Sequence, residues 1–309
     1  MPIPYRIYDV FTDTPMAGNP LAVVDLREND MSDTDQQKLA KEFNLSETVF
    51  LLGSTNPVHT ARLRIYTPDR ELPFAGHPTI GAAVALARDS VADGLSTGLV
   101  LMEEQIGLIR AAVKVDGDQG ARSGGFAEFD LVSMPTENKW GPAKDDIALA
   151  LGLAPHQIGF ENHVPAQFDG GMPYFCVPVH DLEALSGVTP NAPLFAEIFA
   201  GGQNHDSVYM YTRETVNADS DFAARMMWPV GGSVREDPAT GSGVASLAGA
   251  IVKFDAPMEG RHRLKIEQGF AMGRPSTIEL ELELDSAGDL SASRLGGDAV
   301  CVAEGTLLL

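Results

Sequence analysis

The sequence predicts an α+β protein of two pseudo-symmetric domains, each a curved β-sheet wrapped around a central α-helix. Three observations carry that reading. The first is an internal repeat. His77-Pro78-x-x-Gly81-x-x-Val84-Ala85 is answered by Asp237-Pro238-x-x-Gly241-x-x-Val244-Ala245, and RIYTP (Arg64 to Pro68) precedes the first as RMMWP (Arg225 to Pro229) precedes the second. Matches in the same order on both sides read as two homologous halves. The second is that the runs opening at Pro78 and Pro238 carry no polar face, and a helix apolar all round is buried all round. The third is the alternation of apolar and polar residues in most of the remaining segments, which is the pattern of half-buried strands.

Along the first half, SETVFLL, VHTARLRIYT and GLIRAAVKV read as strands, and a helix is expected from about Asp33 to Phe43. The second half supplies GFAEFDLVS, YFCVPVH, SVYMYT, FAARMMW, RLKIEQ and TIELELEL as strands, with helices near Asp145 to Leu151 and Pro193 to Phe199. Met226, Met227 and Trp228 are expected in the core. The Gly-containing stretch Ala121-Arg122-Ser123-Gly124-Gly125 is the natural linker. It divides the chain into residues 1–121 and 122–297.

Composition narrows the function classes. The 309 residues carry a net charge of -21, a field that repels nucleic acid and anionic membranes, so neither is an expected partner. An anionic ligand would then have to be held by local devices such as helix N-termini. Cys176 and Cys301 stand alone, without the spacing of a disulfide framework or a zinc site, and no metal is expected. No GxGxxG follows a strand and no P-loop lysine is present, which leaves nucleotide binding unsupported. The N-terminus lacks a signal-peptide pattern and no apolar run reaches membrane-spanning length. A cytoplasmic enzyme or binding protein is the default.

The helix mouths are the candidate sites. Proline at the first helical position makes His77 and Asp237 the expected N-caps. Asp237 reads equally well as a plain cap. Histidine is not a preferred cap, and a residue that breaks a local rule points to function. A helix N-terminus also favours a neutral imidazole. If the pseudo-twofold brings the two mouths together, the amides around Gly76, His77, Gly241 and Ser242 form a cradle for a carboxylate. In NLSETVFL, a strand puts Glu47, Val49 and Leu51 on one face. Such a carboxylate suits acid/base work, although by spacing alone Glu47 also reads as an ordinary strand-end glutamate. Phe74, Tyr66 and Met172 are candidate pocket-lining residues.

AGNPLAVV, SETVFL, RIYTPDRELPFAGHPTIGAA, REDPATGSG and EQGFAMGRPS, in this order, resemble the phenazine-biosynthesis (PhzF-like) isomerase family, from Tyr8 to about Ser276. The resemblance implies the diaminopimelate epimerase-like fold, with the active site between two domains and the C-terminal strand, about 298–309, returning to the first. It implies a cofactor-independent isomerase acting on a small carboxylated substrate. Glu47 of SET would move a proton between carbons, assisted or oriented by His77 and Asp237. Ser46, Gly76, Gly241 and Ser242 would bind the substrate. Asn19 and Gln268 sit in family-like motifs without an assigned role. Racemases of the wider superfamily use a cysteine at each helix mouth; His77 and Asp237 stand there instead, which argues against two-thiol racemisation. A homodimer is expected by the same resemblance. Two readings remain beside this one: a non-catalytic anion-binding or regulatory protein, and an epimerase using Glu47 and Asp237 as two bases.

Overall fold

Alternating sequence in the first half of the chain becomes strands that close around one helix. The computed structural model describes residues 2–89, 96–115, 124–138, 141–199 and 206–309. By internal contacts these form two units, Met1–Asp130 with Gly296–Leu309, and Leu131–Leu295.

In the first unit β1 (Ile3–Val10), β2 (Asn19–Asp25), α1 (Asp33–Phe43), β3 (Glu47–Leu52), β4 (Ala61–Tyr66) and β5 (Glu71–Leu72) precede α2 (Gly76–Asp89). Then come β6 (Thr97–Glu104), β7 (Gly107–Val115) and β8 (Gly124–Asp130). β1–β2 are antiparallel, β2–β3 parallel, β3–β4 antiparallel, β4–β6 parallel, and β6–β7–β8 antiparallel. The C-terminal strand of the chain, Leu290–Leu307, pairs with both β1 and β8, so the sheet closes on itself. α2 packs against β1, β2, β3, β6, β7 and β8 and is buried from Gly76 to Leu86. Its small residues follow from that enclosure: a Cβ at Gly81 would lie 2.5 Å from Leu21 Cδ2 and 2.9 Å from Val10 Cγ2. Ile80, Val84 and Leu86 are essentially fully buried, each worth about 1.5–3 kcal/mol relative to exposure. α1 covers the outside of the sheet, where Leu39 and Ala40 meet Val24, Phe50 and Tyr66. Ser32 caps it by accepting the Asp35 amide, and left-handed Asn44 ends it.

The second unit repeats the scheme. β9 (Thr136–Asn138), α3 (Lys144–Leu151), β10 (Ala166–Asp169), β11 (Pro173–Pro178), α4 (Leu182–Gly187), α5 (Ala192–Phe199), β12 (Val208–Thr212), β13 (Phe222–Val230) and β14 (Ser233–Asp237) precede α6 (Gly241–Asp255). β15 (Gly260–Gln268), β16 (Ser276–Leu284) and β17, the C-terminal strand, follow. From β10 onward the pairings run antiparallel, parallel, antiparallel, parallel, antiparallel through β11, β12, β13, β15 and β16, the same succession as in the first unit. α6 packs on β9, β10, β11 and β16. α4 and α5 stand in the β11–β12 crossover, as α1 stands in the β2–β3 crossover. With α3 they bury Ile147, Leu151, Leu185, Phe195 and Phe199 against Phe175, Val177, Val208 and Met227.

Several expectations need correction. Ala121 to Ser123 of the expected linker lie outside the described residues, while Gly124 and Gly125 open β8. Its ladder with β7 carries Gly124–Asp130 into the first unit, so the division falls after Asp130 rather than after residue 121. Trp228 is half-buried, unlike buried Met226 and Met227. Among the described residues no helix is long and apolar enough to cross a membrane.

Candidate active site

The two helix mouths are built from the same parts. In each half an arginine on the strand before the helix grips a glutamate on the next short strand. Arg64 donates to both oxygens of Glu71, at 2.7 and 2.8 Å. Arg225 does the same to Glu236, at 2.9 and 2.8 Å, and also donates to the carbonyls of Leu185, Ser186 and Val188. The repeated arginines thus fasten the short strands that lead into each mouth, by paired charge-assisted bonds.

His77 is not an N-cap. α2 begins at Gly76, so His77 and Pro78 both lie inside its first turn, where a missing N–H costs nothing. Asp237 is not one either. It ends β14, and Thr240 holds the N-cap position of α6. The aligned His-Pro and Asp-Pro pairs therefore enter their helices differently, one within the first turn and the other ahead of it.

In the first unit β3 starts at Glu47, paired in parallel with Leu21 of β2. His77 Nδ1 lies 3.5 Å from Glu47 Oε2 and 3.4 Å from Asn19 Nδ2. Three separate segments thus converge: the start of β2, the start of β3 and the first turn of α2. The His77 side chain is 6% exposed and that of Glu47 17%, so the carboxylate is the member of the pair within reach of a ligand. Burial pushes His77 down to about 3, because removing water penalises the imidazolium. Its approach to Glu47 is accordingly that of a neutral ring to a carboxyl rather than an ion pair. Ser46, immediately before Glu47, is half-buried. The first amides of α2, Gly76 and His77, have no intrahelical acceptor, as in any helix.

In the second unit Asp237 is 8% exposed. Its Oδ2 accepts from the Thr240 hydroxyl at 2.6 Å. Gln268, at the end of β15, ties the turn together. Its Nε2 donates to the Asp237 carbonyl at 2.8 Å and to Thr240 Oγ1 at 3.1 Å, while its Oε1 accepts from the Thr240 amide at 3.2 Å and the Tyr209 hydroxyl at 3.1 Å. Burial raises Tyr209 well above the usual phenol range, keeping it a neutral donor. Gly241 and Ser242 open α6, and Ser242 Oγ lies 2.8 Å from the Tyr174 hydroxyl.

Sequence reasoning gave no role to Asn19 or Gln268 and did not single out Tyr174. The motifs contained the first two, but only the folded chain shows which groups they reach. Of the candidate lining residues, Tyr66 belongs instead to the core under α1, edge-on to Phe50. Phe74 packs edge-on to Phe129, and Met172 Sδ lies 3.4 Å from the Tyr174 hydroxyl. Cys176 and Cys301 are free and buried, and neither contributes to a helix mouth. Elsewhere, Glu161, His163 and Asp255 cluster with their ligand atoms close enough for a cation. Arg213 occupies that role, bonding Glu161 and Asp255.

The profile of the family described as "Phenazine biosynthesis-like protein" matches residues 8–305. An uncharacterised isomerase of Mesorhizobium japonicum is 48% identical over 99% of this chain and 98% of its own. The trans-2,3-dihydro-3-hydroxyanthranilate isomerase of Pseudomonas aeruginosa is 31% identical over 99% of each. Among solved structures, the PhzF-family phenazine biosynthesis protein of Bacillus anthracis superposes with a TM-score of 0.85 at 21% identity, covering 100% of both chains.

Proposed function

The chain belongs to the phenazine biosynthesis-like family and is an isomerase, and from that premise we propose that it moves a proton between carbons of a small carboxylated substrate, with Glu47 as the acid/base. One observation carries the proposal: Glu47 is a partly exposed carboxyl set against a buried, neutral histidine. In this reading the Glu47 carboxylate takes a proton from one substrate carbon and, now neutral, returns it to another. The electron pair freed by the first step moves through the adjacent unsaturation and is quenched by the second. No net atom is gained or lost, which is the balance of an isomerisation.

His77 is no proton donor here, since an imidazole pushed down to about 3 holds no spare proton near neutrality. Its part is to flank the carboxylate with a polar but uncharged ring, and Asn19 Nδ2 approaches the same ring nitrogen, Nδ1, that faces Glu47. The amides of Gly76 and His77 stand at a helix N-terminus, which suits a substrate anion, and in the second unit Gly241 and Ser242 open α6 in the same way. Ser46 is the remaining proposed contact. Asp237 acts by orientation: it is bound to Thr240, which Gln268 also grips. That engagement favours an orienting carboxylate over the second base of an epimerase. A homodimer is part of the same proposal and predicts a particle of twice the 32.9 kDa chain mass in solution.

The test is Glu47→Gln, assayed with trans-2,3-dihydro-3-hydroxyanthranilate and related cyclic dienoic acids. Loss of turnover with ligand binding retained supports the reading; undiminished turnover overturns it.

A further inference from the structure

Glu104 ends β6 and is 8% exposed, yet it enters none of the chemistry above. Its Oε1 lies 2.8 Å from Thr79 Oγ1, and its Oε2 is buried with no hydrogen-bond partner among the described residues. Thr79 is fully buried in the first turn of α2, two positions past His77, and its hydroxyl also lies 2.9 Å from the Ala75 carbonyl oxygen. A hydroxyl has one proton. Two oxygens at 2.9 Å repel unless a proton lies between them, and a backbone carbonyl can only accept. The Thr79 proton is therefore committed to Ala75, and the contact with Glu104 needs a proton from the carboxyl group. An ionised Glu104 would in addition leave a bare charged oxygen in the interior.

We propose that Glu104 is a positioning residue that keeps its proton in the folded protein and, by donating it to Thr79, fixes the first turn of α2 on which His77 sits. The chain runs from Glu104 to Thr79 to Ala75, and Ala75 immediately precedes Gly76 and His77. When Glu104 ionises, the donor becomes an acceptor. Thr79 must then turn its proton toward the carboxylate, and the Ala75 carbonyl keeps only the Thr79 amide, at 3.2 Å.

Burial sets the ionisation, raising the group to about 8, and the Thr79 hydroxyl opposes it. His77, the titratable neighbour on the same turn, is itself held neutral. On β4, which pairs with β6, Arg62 is exposed and Arg64 is bound to Glu71. On β7 and β8 Arg110, Lys114 and Asp130 are exposed and Glu128 is half-buried. Beside Glu104 on β6, Glu103 is engaged by His59. The linkage follows from the direction of the shift. The folded state holds this proton more tightly than the unfolded chain, whose glutamate titrates near ~4.3. The stability contributed is fully present below that value and is lost as pH rises through about 8.

The inference about α2 rests on the function proposed above, but the proton itself does not, and the experiment separates them. Thermal unfolding of the full chain, wild type beside Glu104→Gln, is followed from pH 6 to 9.5. The glutamine amide can donate to Thr79 at every pH. Wild type is expected to lose roughly 5 °C or more relative to the variant across this window. Isotope-edited infrared spectra of wild type should show a protonated carboxyl band at pH 6.5 that Glu104→Gln lacks. Parallel pH curves, or no such band, would overturn the proposal whatever the substrate. In the isomerase assay the alkaline fall in rate should be present in wild type and absent in Glu104→Gln. An identical alkaline limb in both, with the band present, would overturn the positioning role while leaving the buried proton standing.

Discussion

Gly243→Ala should destabilise the second unit even though alanine is the better helix former. A Cβ at Gly243 would lie 2.6 Å from Tyr209 Cε2 and closer still to Cδ2. The ring has little room to yield. Tyr209 is fully buried, its hydroxyl donates to Gln268, and Tyr174 packs edge-on against it at 6.3 Å. Replacing a helical glycine gains about 1 kcal/mol in propensity, while forcing a methyl into a filled core costs about 1–3 kcal/mol. The rigid neighbour puts this site toward the upper end, for a net loss of about 1–2 kcal/mol. Gly81→Ala is the matched comparison in α2. It meets the methyl ends of Leu21 and Val10, which can shift by rotamer, so its net effect should lie near zero. Calorimetric unfolding reads the difference at about 2–4 °C per kcal/mol. Unfolding of Gly243→Ala at or above the wild-type temperature would show that small residues are not the condition for enclosing these helices.

The remaining predictions concern the machinery at the helix mouths. His77 is pushed down to about 3 from an ordinary ~6.5, so the unfolded chain binds this proton first and stability is lost as pH falls between those values. The linkage amounts to something on the order of 5 kcal/mol, and His77→Asn should flatten the acid limb of the pH–stability curve; an unchanged slope would contradict a buried neutral ring. Arg225→Lys loses the two-pronged bond to Glu236 and the carbonyls of Leu185, Ser186 and Val188. It should cost about 2–3 kcal/mol, more than Arg64→Lys, which has no such carbonyl cluster to lose, and denaturant unfolding of both variants ranks them.

Much of the architecture was legible because it is written in periodicity and repetition. The apolar runs after Pro78 and Pro238 could only be enclosed helices, and the structure surrounds α2 with six strands of a closed sheet. The matched arginines of RIYTP and RMMWP marked equivalent places in two halves, although their task of clamping Glu71 and Glu236 needed the fold to be seen. The helix starts were less legible. Proline fits any position of a first turn, so the pattern alone could not tell that Pro78 sits inside its helix while Pro238 precedes one. The seam misled for a related reason: Gly124 and Gly125 have the composition of a linker, but long-range pairing with β7 makes them strand. Asn19, Gln268, Tyr174 and Glu104 stayed without roles because each acts through a partner distant in the chain. Gln268 reaches Asp237 and Thr240, and Glu104 reaches Thr79; no local pattern encodes such pairs.

In the proposed mechanism the Glu47 carboxyl carries the proton. The most direct measurement incubates wild type and Glu47→Gln in D2O with trans-2,3-dihydro-3-hydroxyanthranilate and a panel of related cyclic acids, reading isomer formation and the mass at carbon together. A deuterated isomer of at least one compound is expected with wild type and none with Glu47→Gln, which should still bind that compound. Isomer and label appearing equally with both proteins would contradict that mechanism.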